Sequence, residues 1–246
     1  MDINQLLKDA VAKGASDLHL TAGRSPFIRK NGALIKMDLP VLSREDTEAI
    51  SRHLINIDKL EQFMAQGEID VSYCLEGYRY FRVNCYRQRN SVGIAIRMLS
   101  TEVQTIEELK LPSVISQMAR RNSGLVLVTG PTGSGKTTTL AAMTDLINSE
   151  KEQHIITLED PIEYFHKHKN SIVTQREIGR DSSSFPTALR AALRQDPDVI
   201  LVGEMRDLET ISIAVTAAET GHLVLATLHT VGSDQSVERI VDVFPA

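Results

Sequence analysis

Leu125-Val126-Leu127-Val128-Thr129-Gly130-Pro131-Thr132-Gly133-Ser134-Gly135-Lys136-Thr137-Thr138-Thr139-Leu140-Ala141-Ala142 runs from a short apolar segment through a glycine-rich turn into a helix-forming stretch. The spacing of Gly130, Gly135, Lys136 and Thr137 is that of a phosphate-binding loop, in the strand–turn–helix context such a loop needs. Glycines admit positive φ, so successive backbone N–H groups can converge on an anion. The helix behind the turn adds its positive dipole end and its unpaired N–H groups. Lys136 supplies a mobile charge for β- and γ-phosphates, and the Thr137 hydroxyl is a Mg²⁺ ligand. Gly130, Pro131, Thr132, Gly133, Ser134, Gly135, Lys136, Thr137 and Thr138 are therefore the expected nucleotide-binding set, and a nucleoside triphosphate with Mg²⁺ is the implied ligand.

Downstream, apolar runs at Leu125–Val128, Ile155–Leu158, Val199–Val202 and Leu223–Thr227 alternate with helical stretches at Thr137–Ser149, Phe185–Arg194 and Leu208–Thr220. Short strands without polar alternation, separated by helices, predict a parallel sheet covered on both faces. With a phosphate loop after its first strand, a RecA-like or related P-loop core is expected. In such a sheet, ligands lie beyond the carboxyl ends of the strands. Acids and histidines that follow an apolar run are thus the candidates.

Three such groups follow in order. Glu159-Asp160-Pro161-Ile162-Glu163 suits metal holding and the orientation or deprotonation of water. Gly203-Glu204-Met205-Arg206-Asp207 stands at the end of a Walker B strand, with Gly203 where an Asp is usual. The acidic function passes to Glu204, a water-mediated Mg²⁺ contact. His229 emerges at the carboxyl end of the strand expected from the Leu223–Thr227 run, placed to sense charge at a γ-phosphate. His222 begins the same strand and on geometry alone is the weaker candidate. His166 and His168 read as surface residues, and their i,i+2 spacing without cysteine partners makes a poor metal site.

The first hundred residues lack this rhythm and read as a small α+β domain. Ile3 to Val11 is helical, Ser16–Leu20 is a strand, and Lys30-Asn31-Gly32 is a hairpin turn. One helical stretch is expected over Glu45–Met64, opened by Ser43 as N-cap. Strands at Asp70–Leu75, Tyr80–Tyr86 and Val92–Met98 follow, with turns at Glu76-Gly77 and Arg89-Asn90-Ser91. The expected division is an N-terminal domain over 1–99, a linker over 100–111 and the nucleotide-binding domain over 112–246.

The whole chain of 246 residues carries a net charge of −5. Residues 1–100 hold 14 Lys and Arg against 12 Asp and Glu, and residues 101–246 hold 13 against 20. Gly77 to Thr101 contains Arg79, Arg82, Arg87, Arg89 and Arg97 and no acid. Such a stripe, interleaved with Tyr78, Tyr80, Phe81 and Tyr86, reads either as a nucleic-acid surface or as arginines aimed at a phosphate held elsewhere. The two cysteines, Cys74 and Cys85, form neither a disulfide framework nor a four-ligand zinc site and read as small buried hydrophobes in a reducing, cytoplasmic setting. No stretch approaches the ~20 apolar residues of a membrane helix, and the first residues carry acids rather than a signal-peptide core.

The quoted motifs, with ASDLHLTAG at 15–23, GPTGSGKT at 130–137, ITLEDPIEY at 156–164, GEMRD at 203–207 and TGHLVLATLHT at 220–230, resemble the type II/IV secretion ATPase superfamily. Within it the chain closely resembles the PilT-type retraction ATPases of type IV pili, over essentially its whole length. The resemblance implies a PAS-like N-terminal domain joined to a RecA-like ATPase core, assembled into a hexameric ring that hydrolyses ATP with Mg²⁺ to drive pilus retraction and twitching motility. It implies Glu163 as general base, Glu204 as the Walker B acid, His222 and His229 as phosphate-linked sensors, and Arg82 and Arg97 as arginines that complete a nucleotide site in the ring. The implied partner is the inner-membrane platform protein of the pilus machine, reached from the cytoplasmic face, with no direct nucleic-acid contact. An assembly-type or secretion-type ATPase of a related system is the alternative, though the tetracysteine zinc module of that branch is not among these residues. A nucleic-acid translocase is the remote one. Members of the family continue past the His box into a helical C-terminal domain, so the sequence is expected to stop short of that part.

Overall fold

In the computed structural model the four apolar runs of the second half line up, with one further strand, as a five-stranded parallel sheet. Residues 1–75, 78–99, 103–242 and 244 are described. The expected Glu76-Gly77 turn, the linker residues 100–102 and the chain-end residues Val243, Pro245 and Ala246 lie outside them. The chain divides into two units, Met1–Leu99 and Ser100–Ala246.

The first unit contains, in chain order, α1 (Ile3–Ala12), β1 (Asp17–Thr21), β2 (Phe27–Lys30), β3 (Ala33–Lys36), α2 (Arg44–Leu54), α3 (Ile57–Gln66), β4 (Glu68–Leu75), β5 (Arg79–Gln88) and β6 (Ser91–Met98). The strands form one antiparallel sheet in the order β3-β2-β1-β6-β5-β4. Period-2 alternation sends Leu18, Leu20, Val83, Cys85, Ile94 and Ile96 to one face, where they pack with Leu6, Leu7, Ile50, Leu54 and Phe63 from the helices. Cys85 is wholly buried, and that burial pushes its thiol up to about 12, as expected of an inert core cysteine.

The helical stretch expected over Glu45–Met64 is two helices. Ser43 and Asp46 close a capping box on α2, Ser43 Oγ accepting from the Asp46 N–H at 3.1 Å and Asp46 accepting from the Ser43 N–H at 2.9 Å. The break falls at Ile55, which adopts extended backbone and turns its side chain into the core with 3 % exposure. Burying that side chain outweighs continuing the helix, a tertiary preference that propensity does not report.

The second unit contains α4 (Ser113–Ala119), β7 (Gly124–Thr129), α5 (Lys136–Glu150), β8 (His154–Glu159), β9 (Ile172–Glu177), α6 (Phe185–Ala192), β10 (Val199–Val202), α7 (Leu208–Glu219), β11 (Leu223–Leu228) and α8 (Ser233–Val241). The sheet order is β7-β11-β10-β8-β9, and every pairing is parallel. Ile156, Leu158, Ile200, Val202, Val224 and Ala226 face Ala188, Leu189, Ile211 and Ala214 of α6 and α7. The alternate residues Ile155, Val199, Leu201, Leu223 and Leu225 face Ala119 of α4 and Leu140, Met143 and Ile147 of α5. Burial on both faces is why these strands show no polar alternation. Ile106, within the expected linker, is 3 % exposed and belongs to the same cluster as α4 and α5. Edge strand β9 is absent from the sequence expectation, because Thr174-Gln175-Arg176-Glu177 supplies none of the apolar run that marked the others.

Candidate functional site

Because every pairing in this sheet is parallel, all its carboxyl ends lie along one edge. The order β7-β11-β10-β8 places, side by side, the loop after Thr129, then His229, then Glu204, then Glu159. At ~4.8 Å per strand, the phosphate loop and the end of β8 stand ~14 Å apart along that edge.

The loop itself is exposed from Pro131 to Gly135, and α5 starts at Lys136 with Gly135 as its N-cap at φ +89°. Gly130 sits at φ +149°, a conformation that favours glycine, and a Cβ there would lie 2.7 Å from Ser134 Oγ, which would have to turn away. Lys136 Nζ donates to the carbonyls of Gly130 at 2.8 Å and Pro131 at 3.0 Å, which holds the ammonium over the loop. Thr137 and Thr138 follow in the first turn of α5, where backbone N–H groups lack helical acceptors. Loop and turn together form an anion cradle with a cation above it.

His229 and Glu204 meet across neighbouring strands, Nε2 standing 3.7 Å from Oε2. Glu204 Oε1 also receives Arg206 Nε at 2.8 Å. Glu204 keeps 19 % side-chain exposure, so its carboxylate sits at the rim with a face toward solvent. The neighbouring Gly203 is a packing requirement. Its N–H donates to Leu158 O at 2.8 Å, and a Cβ at 203 would come within 3.1 Å of that carbonyl and 3.3 Å of Glu159 Cα. An Asp at that position would have to push β10 away from β8.

Glu159, at the end of β8, is buried, and burial pushes its carboxyl up to about 7. Three donors oppose that rise: Thr157 Oγ1 at 2.6 Å, Gln175 Nε2 at 3.2 Å, and the Glu163 backbone N–H. Gln175 is a clamp. Its Nε2 also donates to Tyr164 O at 2.9 Å, and its Oε1 accepts the His166 N–H at 2.8 Å. Tyr164 reaches back to α5, its hydroxyl 3.0 Å from Thr138 Oγ1. In this way the segment after β8 returns to the first turn behind the phosphate loop, carrying the exposed Glu163 with it.

The two histidines of the His box do not converge. His222 is at the amino end of β11, its Nδ1 2.9 Å from Ala217 O, while His229 is at the carboxyl end, a strand length away. His166, expected at the surface, is 6 % exposed, and burial pushes its imidazole down to about 4. The backbone bond to Gln175 draws it inward. His168 is exposed, and its Nδ1 accepts the Val173 N–H at 3.1 Å. Arg82 and Arg97 belong to the first unit and face each other across β5 and β6, Arg97 Nε also pairing with Asp17 Oδ1 at 3.1 Å. Gln175 carried no signal in the sequence and Tyr164 only its place at the end of ITLEDPIEY, since their value lies in what they bridge.

A family model described as "Type II/IV secretion system protein" matches residues 1–244. Over all 246 residues the chain is 50% identical to the type IV pilus retraction ATPase PilT of Pseudomonas aeruginosa, spanning 72% of that protein. Over 222 residues, 90% of the chain, it is 48% identical to a twitching motility protein of Neisseria gonorrhoeae, spanning 59% of it. A crystal structure of the pilus retraction motor PilT with bound ADP superposes on the whole chain with a TM-score of 0.92 at 50% identity, spanning 72% of that motor.

Proposed function

This chain belongs to the type II/IV secretion system protein family, and from that premise we propose that it is an ATP-hydrolysing motor powering retraction of a type IV pilus, and hence twitching motility. The observation that carries the reading is the convergence of the Lys136 loop, His229, Glu204 and the Glu163 segment at one sheet edge. In this reading the first unit is the PAS-like domain over 1–99, and the RecA-like ATPase domain over 112–246 lies in the second unit, which also takes in the expected linker over 100–111.

The loop N–H groups and Lys136 bind the β- and γ-phosphates of ATP, and the first turn of α5 adds its dipole. The hard oxygens of Thr137 and Glu204 fit Mg²⁺, which takes few protein ligands and keeps its waters, so these two residues would hold it. Mg²⁺, when bound, neutralises charge on the β- and γ-phosphates. Glu163 accepts a proton from a water whose oxygen forms the new bond to the γ-phosphorus. The bond to the β–γ bridging oxygen breaks, leaving ADP and inorganic phosphate. Glu204 and His229, 3.7 Å apart, register the change of charge at the γ-phosphate. His222, at the other end of β11, has no part in these steps within one chain. Arg82 and Arg97 stabilise phosphate charge in the site of a neighbouring copy in a hexameric ring. The ring works at the cytoplasmic face of the inner membrane against the platform protein of the pilus machine.

Steady-state phosphate release tests the assignment. Lys136→Ala abolishes turnover together with nucleotide affinity, whereas Glu163→Gln keeps Mg·ATP binding and loses at least a hundredfold in kcat, the scale of a general base. Undiminished phosphate release by Glu163→Gln removes Glu163 from the role.

A further inference from the structure

The five arginines of the basic stripe do not share a surface. Arg82 and Arg97 occupy the outer face of the antiparallel sheet, opposite its core. Arg87 has the parity of Phe81, Val83 and Cys85 and lies on the helix side, its guanidinium 5.9 Å above the Phe63 ring and Nη2 3.0 Å from Met64 Sδ. Arg89 follows in the β5–β6 turn, and Arg52 comes from the last turn of α2. These three arginines line one cavity of about 630 Å³, formed wholly within the first unit.

The cavity has two contrasting walls. Leu60 and Phe63 of α3, with Val92 of β6, make an apolar one, and the guanidinium groups make the other. Glu48 is the single carboxylate among the lining residues, against three arginines. Among the described residues no carboxylate lies within salt-bridge distance of Arg52, Arg87 or Arg89. Arg89 and Asn90 adopt φ of +45° and +58°, a two-residue turn in which the first place favours Asn, Asp or Gly. An arginine held in the left-handed region is strained, and strain of this kind marks places where a side chain is used. The volume lies within the ~300–1,000 Å³ of small-molecule sites.

We propose that this cavity binds an organic phosphate with a planar or apolar body, the phosphate held by Arg52 and Arg89 and the body packed against Leu60 and the open face of the Arg87 guanidinium. Planar guanidinium forks match phosphate geometry, and a dianion balances the excess of two positive charges that three arginines and one glutamate leave.

The test uses 1-naphthyl phosphate, titrated by fluorescence into the whole chain in saturating Mg·ADP, so that the phosphate loop does not compete. Saturable binding is expected, weakened about a hundredfold in Arg52→Glu/Arg89→Glu, because charge-assisted hydrogen bonds of this kind carry roughly tenfold each. Neutral 1-naphthol binds about tenfold more weakly and does not respond to the substitutions. ADP affinity and the thermal midpoint report whether the double variant is folded. Should it not fold, Met64→Asp, at an exposed residue beside Arg87, makes the same prediction. Sedimentation with phosphatidylglycerol vesicles distinguishes the source: binding lost in the arginine variant assigns a lipid headgroup, and probe binding without vesicle binding assigns a soluble phosphate. If neither naphthyl phosphate nor vesicles bind in an arginine-dependent way, the proposal falls.

Discussion

Replacing Glu159 by Gln should change how stability depends on pH, because this carboxyl is buried at the end of β8 and titrates far from its ordinary value. In the unfolded chain Glu159 ionises near 4.5, and in the folded chain near 7. Between those values the folded state holds the extra proton, so stability falls as pH rises. Below about 4.5 the carboxyl is neutral in both states and costs nothing; above about 7 it is ionised in both and the full cost is present. One pH unit of separation corresponds to about 1.4 kcal/mol, so the cost reaches about 3 kcal/mol. Gln keeps the size and still accepts from Thr157 Oγ1, but it has no proton to lose. The assay is urea unfolding followed by circular dichroism from pH 5 to pH 8 on both proteins. Other titrating groups cancel in the difference, leaving wild type losing about 2.5 kcal/mol relative to Glu159→Gln across that range, because part of the cost is already present at pH 5. Parallel profiles, with a difference that does not move with pH, would refute the claim that burial governs this carboxyl.

Two further outcomes follow from the same edge of the sheet. Gly203→Ala should cost about 1–3 kcal/mol in urea unfolding, since its Cβ must displace Leu158 O and Glu159 Cα between paired strands; a neutral result would show that β10 and β8 separate freely. Gln175→Leu leaves the Glu159 carboxyl, Tyr164 O and the His166 N–H each short of a partner, at about 1–3 kcal/mol for each group that water does not reach. Its kcat should fall with KM for ATP little changed, because the clamp holds the Glu163 segment rather than the phosphate loop. Gln175→Glu, which keeps the acceptor for His166, should recover part of the loss below pH 7, and equal losses in the two variants would count against a positioning role.

Much of the second unit was legible in advance. Leu125–Val128, Ile155–Leu158, Val199–Val202 and Leu223–Thr227 are apolar on both sides, and only a sheet covered twice gives that pattern. The edge strand β9 was not, because an edge strand needs no two-sided apolar run and Gln175 earns its place by hydrogen bonds to distant residues. The same limit applies to His166, whose burial comes from a bond between its own backbone and a side chain on another strand. In the first unit, alternation marked the strands, but α2 and α3 read as one helix because Ile55 fits either. Alternation also held the parity of the arginine stripe, with Arg82 on one side and Arg87 on the other. Which side carried a cavity depended on where α3 packs.

Local chemistry marked the glycine loop, since the pattern of Gly130, Gly135, Lys136 and Thr137 depends on backbone conformation and on residues adjacent in the chain. It also settled that acids and a histidine follow apolar runs, and with them the family. Folding was needed to lay β11 between β7 and β10, which brings His229 beside Glu204, and to return the Tyr164 segment to Thr138 so that Glu163 accompanies it. Folding likewise left His222 at the far end of its strand and turned a buried Glu159 into a carboxyl that titrates near neutrality. Strand order, burial and side-chain bridges are relations between residues far apart in the chain, and nearest-neighbour chemistry carries no record of them.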